Sequence, residues 1–347
     1  MSQPAAGPTV GIIANPLAGK DVRRLTSGAS PVSDGVKIGA IRRAVVGALE
    51  GGASRVLISG DRARLGERAL AGLDSGHAVD VLEPHGRHTG RDTQLVAAQF
   101  CAWGVGAVIS LGGDGTQRDT AKGWRDVPLV PLAIGTNNVF PFPLEATVAG
   151  FAAGAVASGA AGPEVVTSQA KIIDVTTAAG SDAALVDVCL VGGAFVGARA
   201  VWDPSGVHEM VVAIAEPASV GLSAIAAAVC PVERDEPGGV HVRLGSRDGS
   251  QATQCSVRPA VQPGSYADIA ISHAQRLGFD APVTLAGPGV LTLDGEREIV
   301  LHSGETAEAA VRPDGPRVID VGAAVALAQR RRYAFGPART ERRTGER

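Results

Sequence analysis

Gly112-Gly113-Asp114-Gly115-Thr116 follows directly behind the apolar run Ala107-Val108-Ile109-Ser110-Leu111. The order of residues places one carboxylate inside a glycine-rich turn at the end of a buried strand, a position suited to phosphate chemistry. The three glycines allow φ > 0 and let backbone N–H groups come close to anionic oxygens. If Thr116 opens a helix, its unsatisfied N–H groups add a positive dipole end at the same spot. An acidic side chain repels phosphate, so Asp114 is expected to hold Mg²⁺ or to take the proton of an attacking hydroxyl. The bland alternative is a tight Gly-Asp-Gly turn.

Two more loops carry residues of the same kind. Asn15-Pro16-Leu17-Ala18-Gly19-Lys20 follows the run Val10–Ala14, and Gly135-Thr136-Asn137-Asn138 follows Leu129–Ile134. The chain has only three asparagines, Asn15, Asn137 and Asn138, and all lie in these loops. Its four lysines are Lys20, Lys37, Lys122 and Lys171. Turn preference alone would spread asparagine over many loops. Lys20 and Arg118 offer positive charge near the glycine turn, with surface charge as the plain alternative. His85-Gly86-Arg87-His88 lacks a third metal ligand and reads as solvent-facing. No Walker A sequence and no G-x-G-x-x-G behind a strand occurs, which disfavours a P-loop NTPase and an ordinary dinucleotide-dependent dehydrogenase.

These loops need a scaffold. The first half alternates apolar runs with helix-length stretches, the pattern of a doubly wound parallel sheet, in which ligands sit beyond the carboxyl ends of the strands. Strands are expected at 10–14, 55–59, 78–82, 107–111 and 129–134, with Pro131 pushing the last toward an edge or an irregular end. Helices are expected at 38–49, 62–73, 93–103 and 147–161. Beyond Gly162-Pro163 the rhythm changes to short β-branched segments, and Asp248-Gly249 and Asp294-Gly295 read as hairpin turns. The expected organisation is an α/β domain over 1–146 and a mostly β sandwich domain over 147–311. A strand and helix over 312–333 then return to the first domain, and an arginine-rich tail over 334–347 reads as disordered.

Composition sets outer limits. The 347 residues, 45% of them apolar, can bury two cores. A net charge of −3 recruits neither nucleic acid nor an anionic membrane, so a small-molecule partner is expected. Cys101, Cys189, Cys230 and Cys255 form no C-x-x-C pair, which argues against zinc and a disulfide framework. No stretch is apolar enough to span a bilayer and Met1–Thr9 lacks the features of a signal peptide, which makes cytoplasm the default.

Together, Asn15-Pro16, the Gly112–Thr116 turn and the β-rich second half resemble the NAD kinase and diacylglycerol kinase superfamily. Gly135-Thr136-Asn137-Asn138 is similar to a loop of its lipid-kinase side. The stretches Ala121–Pro131, Thr136–Pro141 and Glu145–Gly150 look closest to the acetoin catabolism protein X branch of the ATP-NAD kinase-like family. The resemblance extends from Val10 to about Asp203, with weaker matches at Glu216–Ile225 and Asp294-Gly295-Glu296.

The resemblance implies a two-domain kinase that uses ATP or another phosphoryl donor, a divalent metal and a nucleotide substrate, NAD⁺ being the expected acceptor. Asp114 matches the catalytic aspartate, with Mg²⁺ placed on it, while Gly112, Gly113, Gly115 and Thr116 match the phosphate loop. Asn15, Lys20, Arg118, Thr136, Asn137 and Asn138 are then expected around phosphate or nucleotide. Asp187 aligns with the acidic member of the pair that holds substrate in NAD kinases. Val186 stands where that pair has asparagine, and valine leaves a substrate polar group unpaired. The same features therefore leave room for a lipid-like or catabolic metabolite as acceptor, or for a silent NAD- or ATP-binding regulator. Assembly into a homo-oligomer is implied by analogy with the superfamily.

Overall fold

The computed structural model describes residues 7–20, 32–73, 78–87, 89–134, 138–192, 204–245 and 253–332, with the backbone alone at 297. Its first half contains β1 (Thr9–Ala14), α1 (Asp34–Glu50), β2 (Arg55–Ile58), α2 (Leu65–Leu70), β3 (Val79–Val81) and α3 (Gly90–Ala102). Then come β4 (Ala107–Gly112), α4 (Asp114–Gly123), β5 (Pro128–Ala133), α5 (Ala146–Ala157), α6 (Pro163–Val166) and β6 (Thr167–Gln169). The β-rich part holds β7 (Ile172–Thr177), β8 (Gly180–Ala184), β9 (Asp187–Val191), β10 (Val207–Val212), α7 (Ser223–Ala227), β11 (Gly239–Leu244), β12 (Cys255–Val257), β13 (Ala260–Gln262) and β14 (Ser265–Tyr266). It continues through β15 (Ile269–Leu277), β16 (Val283–Ala286), β17 (Gly289–Leu293), β18 (Glu296–Leu301) and β19 (Thr306–Arg312), before β20 (Arg317–Ile319) and α8 (Val321–Arg332) end it.

Apolar, β-branched runs such as Val10-Gly11-Ile12-Ile13 are buried on both faces, the requirement for strands covered by helices on each side. They form a sheet of order β3-β2-β1-β4-β5-β20-β6, parallel except for β6. One face packs against residues of α1, α5 and α8. The other receives α3 and α4 through Val96, Ala97, Phe100 and Ala121. Pro131 does not make β5 an edge strand, because β5 pairs with β4 along its length and with β20 at Pro128 and Leu129. The Pro131 carbonyl faces away from β4, where it accepts the Phe142 N–H at 2.9 Å. The missing proline N–H thus falls where only a short bridge at Phe142 is needed.

Helices α1 and α5 approach until their backbones touch. A Cβ on Gly150 would lie 2.2 Å from the Ala44 carbonyl oxygen, and one on Gly47 would lie 2.0 Å from that of Thr147. Small residues at these positions let apolar helices pack without intervening side chains.

The β-rich part stacks an antiparallel sheet of order β12-β15-β11-β10-β9-β17-β18 on another of order β16-β19-β7-β8. Ile173, Val175, Leu285 and Val311 of the smaller sheet share a core with Val188, Leu190, Val211 and Leu291 of the larger. The Asp294-Gly295 turn joins β17 to β18 with both residues at positive φ (51° and 76°), the geometry of a tight hairpin. Asp248-Gly249 and the chain beyond Arg332 lie outside the described residues. Among the described residues, no helix is long and apolar enough to cross a membrane.

Candidate active site at the start of helix α4

Helix α4 is polar by sequence, yet it buries Thr116, Gln117, Arg118, Asp119 and Thr120. Burial is offset by hydrogen bonds: the Gln117 amide donates to the Ser110 carbonyl at 3.1 Å, and Thr120 donates to the Thr116 carbonyl at 2.9 Å, while Gln117 Oε1 and Arg118 Nε find no hydrogen-bond partner among the described residues. A helix with this composition holds its place through specific hydrogen bonds rather than an apolar stripe.

The glycines before it serve close approach. None of Gly112, Gly113 or Gly115 has positive φ, contrary to the expectation from sequence. A Cβ on Gly112 would meet the Thr116 hydroxyl oxygen at 2.3 Å, so glycine there makes room for the first turn of α4. Gly113 is the N-cap of α4 in extended conformation, and a Cβ on it would lie 3.1 Å from Oδ1 of Asn138. A Cβ on Gly115 would lie 3.3 Å from Oε1 of Glu296. One asparagine and one glutamate from distant segments therefore flank the turn.

Asp114 is half-buried in the first turn of α4. Its carboxylate accepts the backbone N–H of Phe140 at 2.8 Å and that of Val139 at 3.1 and 3.2 Å. This tie brings the loop after β5 against the glycine turn. Asn15 closes the other side: its amide donates to the Thr116 hydroxyl at 2.9 Å, and its Oδ1 accepts the Leu17 N–H at 2.8 Å. Asn15, Asp114, Thr116 and Asn138 thus converge at the carboxyl ends of β1, β4 and β5. Gly135, Thr136 and Asn137 lie outside the described residues.

The two expected cations are engaged elsewhere. Lys20 pairs with Asp34 of α1 at 2.9 Å on the surface and, with Lys37 and Arg68, holds that carboxyl below its ordinary value. Arg118 is 3% exposed and is not presented to a phosphate. Its guanidinium donates to the Leu293 carbonyl and to Glu298 at 3.0 Å, and lies 3.6 Å from Glu296. Burial opposes its charge, but Asp294, Asp119, Glu296 and Glu298 outweigh that and hold it above the usual arginine value. The residue fastens α4 to the β17–β18 hairpin.

Asp187 is buried at the start of β9, where its Oδ1 accepts from the Cys189 thiol at 3.6 Å. Val186 packs in the core between the two antiparallel sheets at 1% exposure. The acid with the widest reach here is Asp294, which sequence suggested as a turn residue. Its Oδ1 accepts N–H groups of Leu185 (3.0 Å), Val186 (2.8 Å) and Asp187 (3.3 Å). Burial pushes its carboxyl up to about 6, against Arg118 and those amides. Its Asp-Gly pair signals the turn, but nothing local signals partners more than 100 residues away.

Oxygen donors for a hard cation exist at the glycine turn in Asp114, Glu296 and the Asn138 carbonyl. Among the described residues, no group of three or more His, Cys, Asp and Glu could hold a metal. One or two carboxylates completed by phosphate oxygens suit Mg²⁺, so the donor set fits that ion.

Comparison with known proteins adds the following. The acetoin catabolism protein X C-terminal domain model matches residues 171–314. Acetoin catabolism protein X of Cupriavidus necator is 33% identical over 336 residues, with 93% of each chain covered. Yeast NADH kinase, solved in complex with NADH, aligns over 97% of this chain and 90% of its own, with a TM-score of 0.50 and 13% identity. A diacylglycerol kinase of Bacillus anthracis strain Sterne aligns over 91% of this chain and 98% of its own, with a TM-score of 0.40 and 11% identity. The yeast alignment is a likeness of fold.

Proposed function

The chain belongs to the acetoin catabolism protein X family, and we propose that it is an ATP-dependent small-molecule kinase of the NAD kinase type that phosphorylates a hydroxyl, with NAD⁺ as acceptor. The observation that carries this reading is the half-buried Asp114 at the first turn of α4, with loops from β1 and β5 and the Glu296 carboxylate gathered around it.

Phosphoryl transfer asks a protein mainly for positioning and charge stabilisation. The amides at the N-terminus of α4, those of Asp114 and Gly115, receive phosphate oxygens. Asn15 and Asn138 hold the walls of the turn, and the Asn138 amide is offered to phosphate, ribose or base. Asp114, its oxygens oriented by Val139 and Phe140, orients the acceptor hydroxyl and accepts its proton. Asp114, Glu296 and Asn138 would hold Mg²⁺, which when bound neutralises charge on the transferred group.

A second reading keeps the reaction and changes the acceptor to a lipid-like or catabolic hydroxyl compound. It is favoured by Val186, whose side chain lies in the core where an NAD kinase is expected to offer a substrate-binding amide. Incubation of the protein with ATP, Mg²⁺ and NAD⁺, followed by assay for NADP⁺, tests the first reading. ADP release with other hydroxyl acceptors but no NADP⁺ would replace it with the second. Failure of every acceptor to release ADP would remove the kinase proposal.

A further inference from the structure

Val139 and Phe140 are gripped from both sides by charges of opposite sign. Their N–H groups donate to Asp114, at 3.1 Å from Val139 and 2.8 Å from Phe140. Their carbonyls accept from Arg234, at 3.0 Å for Val139 and 3.3 Å for Phe140. Arg234 comes from the β-rich part of the chain, 94 residues beyond Phe140. It is itself well fixed. Glu216 takes its fork at 2.7 and 2.8 Å, and its guanidinium lies 4.4 Å over the Phe142 ring. The turn that carries it is fastened by the buried Lys171 ammonium, which donates to the Glu233 and Glu236 carbonyls at 2.8 and 2.9 Å.

The gripped pair lies inside a loop whose ends are also closed. Ala133 donates to the Phe142 carbonyl at 2.8 Å, and Phe142 donates to that of Pro131 at 2.9 Å. Asn138, immediately before the pair, stands beside Gly113. We infer that Arg234 is a positioning residue: through the Val139 and Phe140 peptides it sets the orientation of the Asp114 carboxylate and the place of Asn138 against the glycine turn. Glu216 keeps the guanidinium aimed. A lysine reaches one carbonyl but cannot reproduce the planar fork that holds two carbonyls and a carboxylate at once. Only the choice of nucleotide as probe rests on the proposed function.

The test combines amide hydrogen exchange with titration of ADP on the wild type, Arg234→Ala, Arg234→Lys, Glu216→Gln, Asp114→Asn and the double variant Arg234→Ala/Asp114→Asn. Arg234→Ala is expected to speed exchange at Val139 and Phe140 by about tenfold, the equivalent of one charged hydrogen bond, and to leave the β1–β4 ladder unchanged. It also weakens ADP binding, and Arg234→Lys recovers part of both effects. Because both side chains act through one segment, the double variant should bind ADP no more weakly than the weaker single variant. Unchanged exchange at those amides, or losses of ADP affinity that multiply in the double variant, would overturn the inference. If Arg234→Ala does not fold, the lysine and Glu216→Gln variants carry the same exchange test. A wild type that binds no ADP would count against the nucleotide reading, while exchange and its partial rescue by lysine still decide on Arg234.

Discussion

The side-chain amide of Asn15 lies 2.9 Å from the Thr116 hydroxyl, joining the loop after β1 to the first turn of α4, 101 residues further along the chain. Thr116 is buried, so the bond is shielded from water on one side. Asn15→Ala and Thr116→Ala should each destabilise the protein by about 1 kcal/mol, and the double variant should cost less than their sum. Urea denaturation of the four proteins in this cycle gives the coupling.

Asp114→Asn replaces one amide-accepting oxygen with a donor that faces a backbone N–H. Turnover with ATP and the acceptor is expected to fall by at least about 100-fold, in line with loss of a general base. Product formation under saturating substrate checks this, and circular dichroism confirms that the variant is folded.

Arg118→Met removes the cation among Asp294, Glu296 and Glu298 while keeping much of the side chain's bulk. Losing the charged hydrogen bonds to Glu298 and the Leu293 carbonyl is expected to destabilise by about 2–3 kcal/mol. The outcome is read from the urea midpoint.

Asp294 gives a signed pH dependence. Its folded-state value of about 6 stands above the ordinary 3.8, so between those values the folded state holds more protons than the unfolded. Its contribution to stability is therefore present at the acid end of the window and is lost as pH rises through it. Asp294→Asn should flatten this part of the profile, as measured by denaturation midpoints across the window.

Gly150→Ala inserts a methyl group 2.2 Å from the Ala44 carbonyl oxygen, where neither backbone can yield cheaply. The expected cost is about 1–3 kcal/mol and a lower thermal midpoint. Gly72→Ala, with no atom within 4 Å of the new Cβ but φ at +70°, separates the effect of crowding from that of backbone strain.

The buried parallel strands were legible because a strand covered on both faces must be apolar throughout, as at Val108, Ile109 and Leu111. β19 was not, because Thr306-Ala-Glu-Ala-Ala-Val-Arg312 has the composition of a helix and becomes a strand through pairing with β7 and β16. β15 was obscured by polar residues in its half-exposed run. At the candidate site, the glycine turn and the clustering of Asn15, Asp114 and Asn138 followed from local chemistry. The fate of Arg118 did not, since an arginine in a polar helix reads as solvated until the tertiary structure supplies Glu298 and the Leu293 carbonyl. Asp294 and Arg234 were hidden for the same reason, their partners being backbone groups brought close only by folding.

The Arg118 tie also limits how this molecule can move. Sliding α4 away from the β17–β18 hairpin would part the buried Arg118 guanidinium from the Leu293 carbonyl and Glu298 and leave it and the buried Asp294 without each other's charge. That pair of elements has to travel as one rigid unit, and any closing around a bound guest falls to the segments on its flanks.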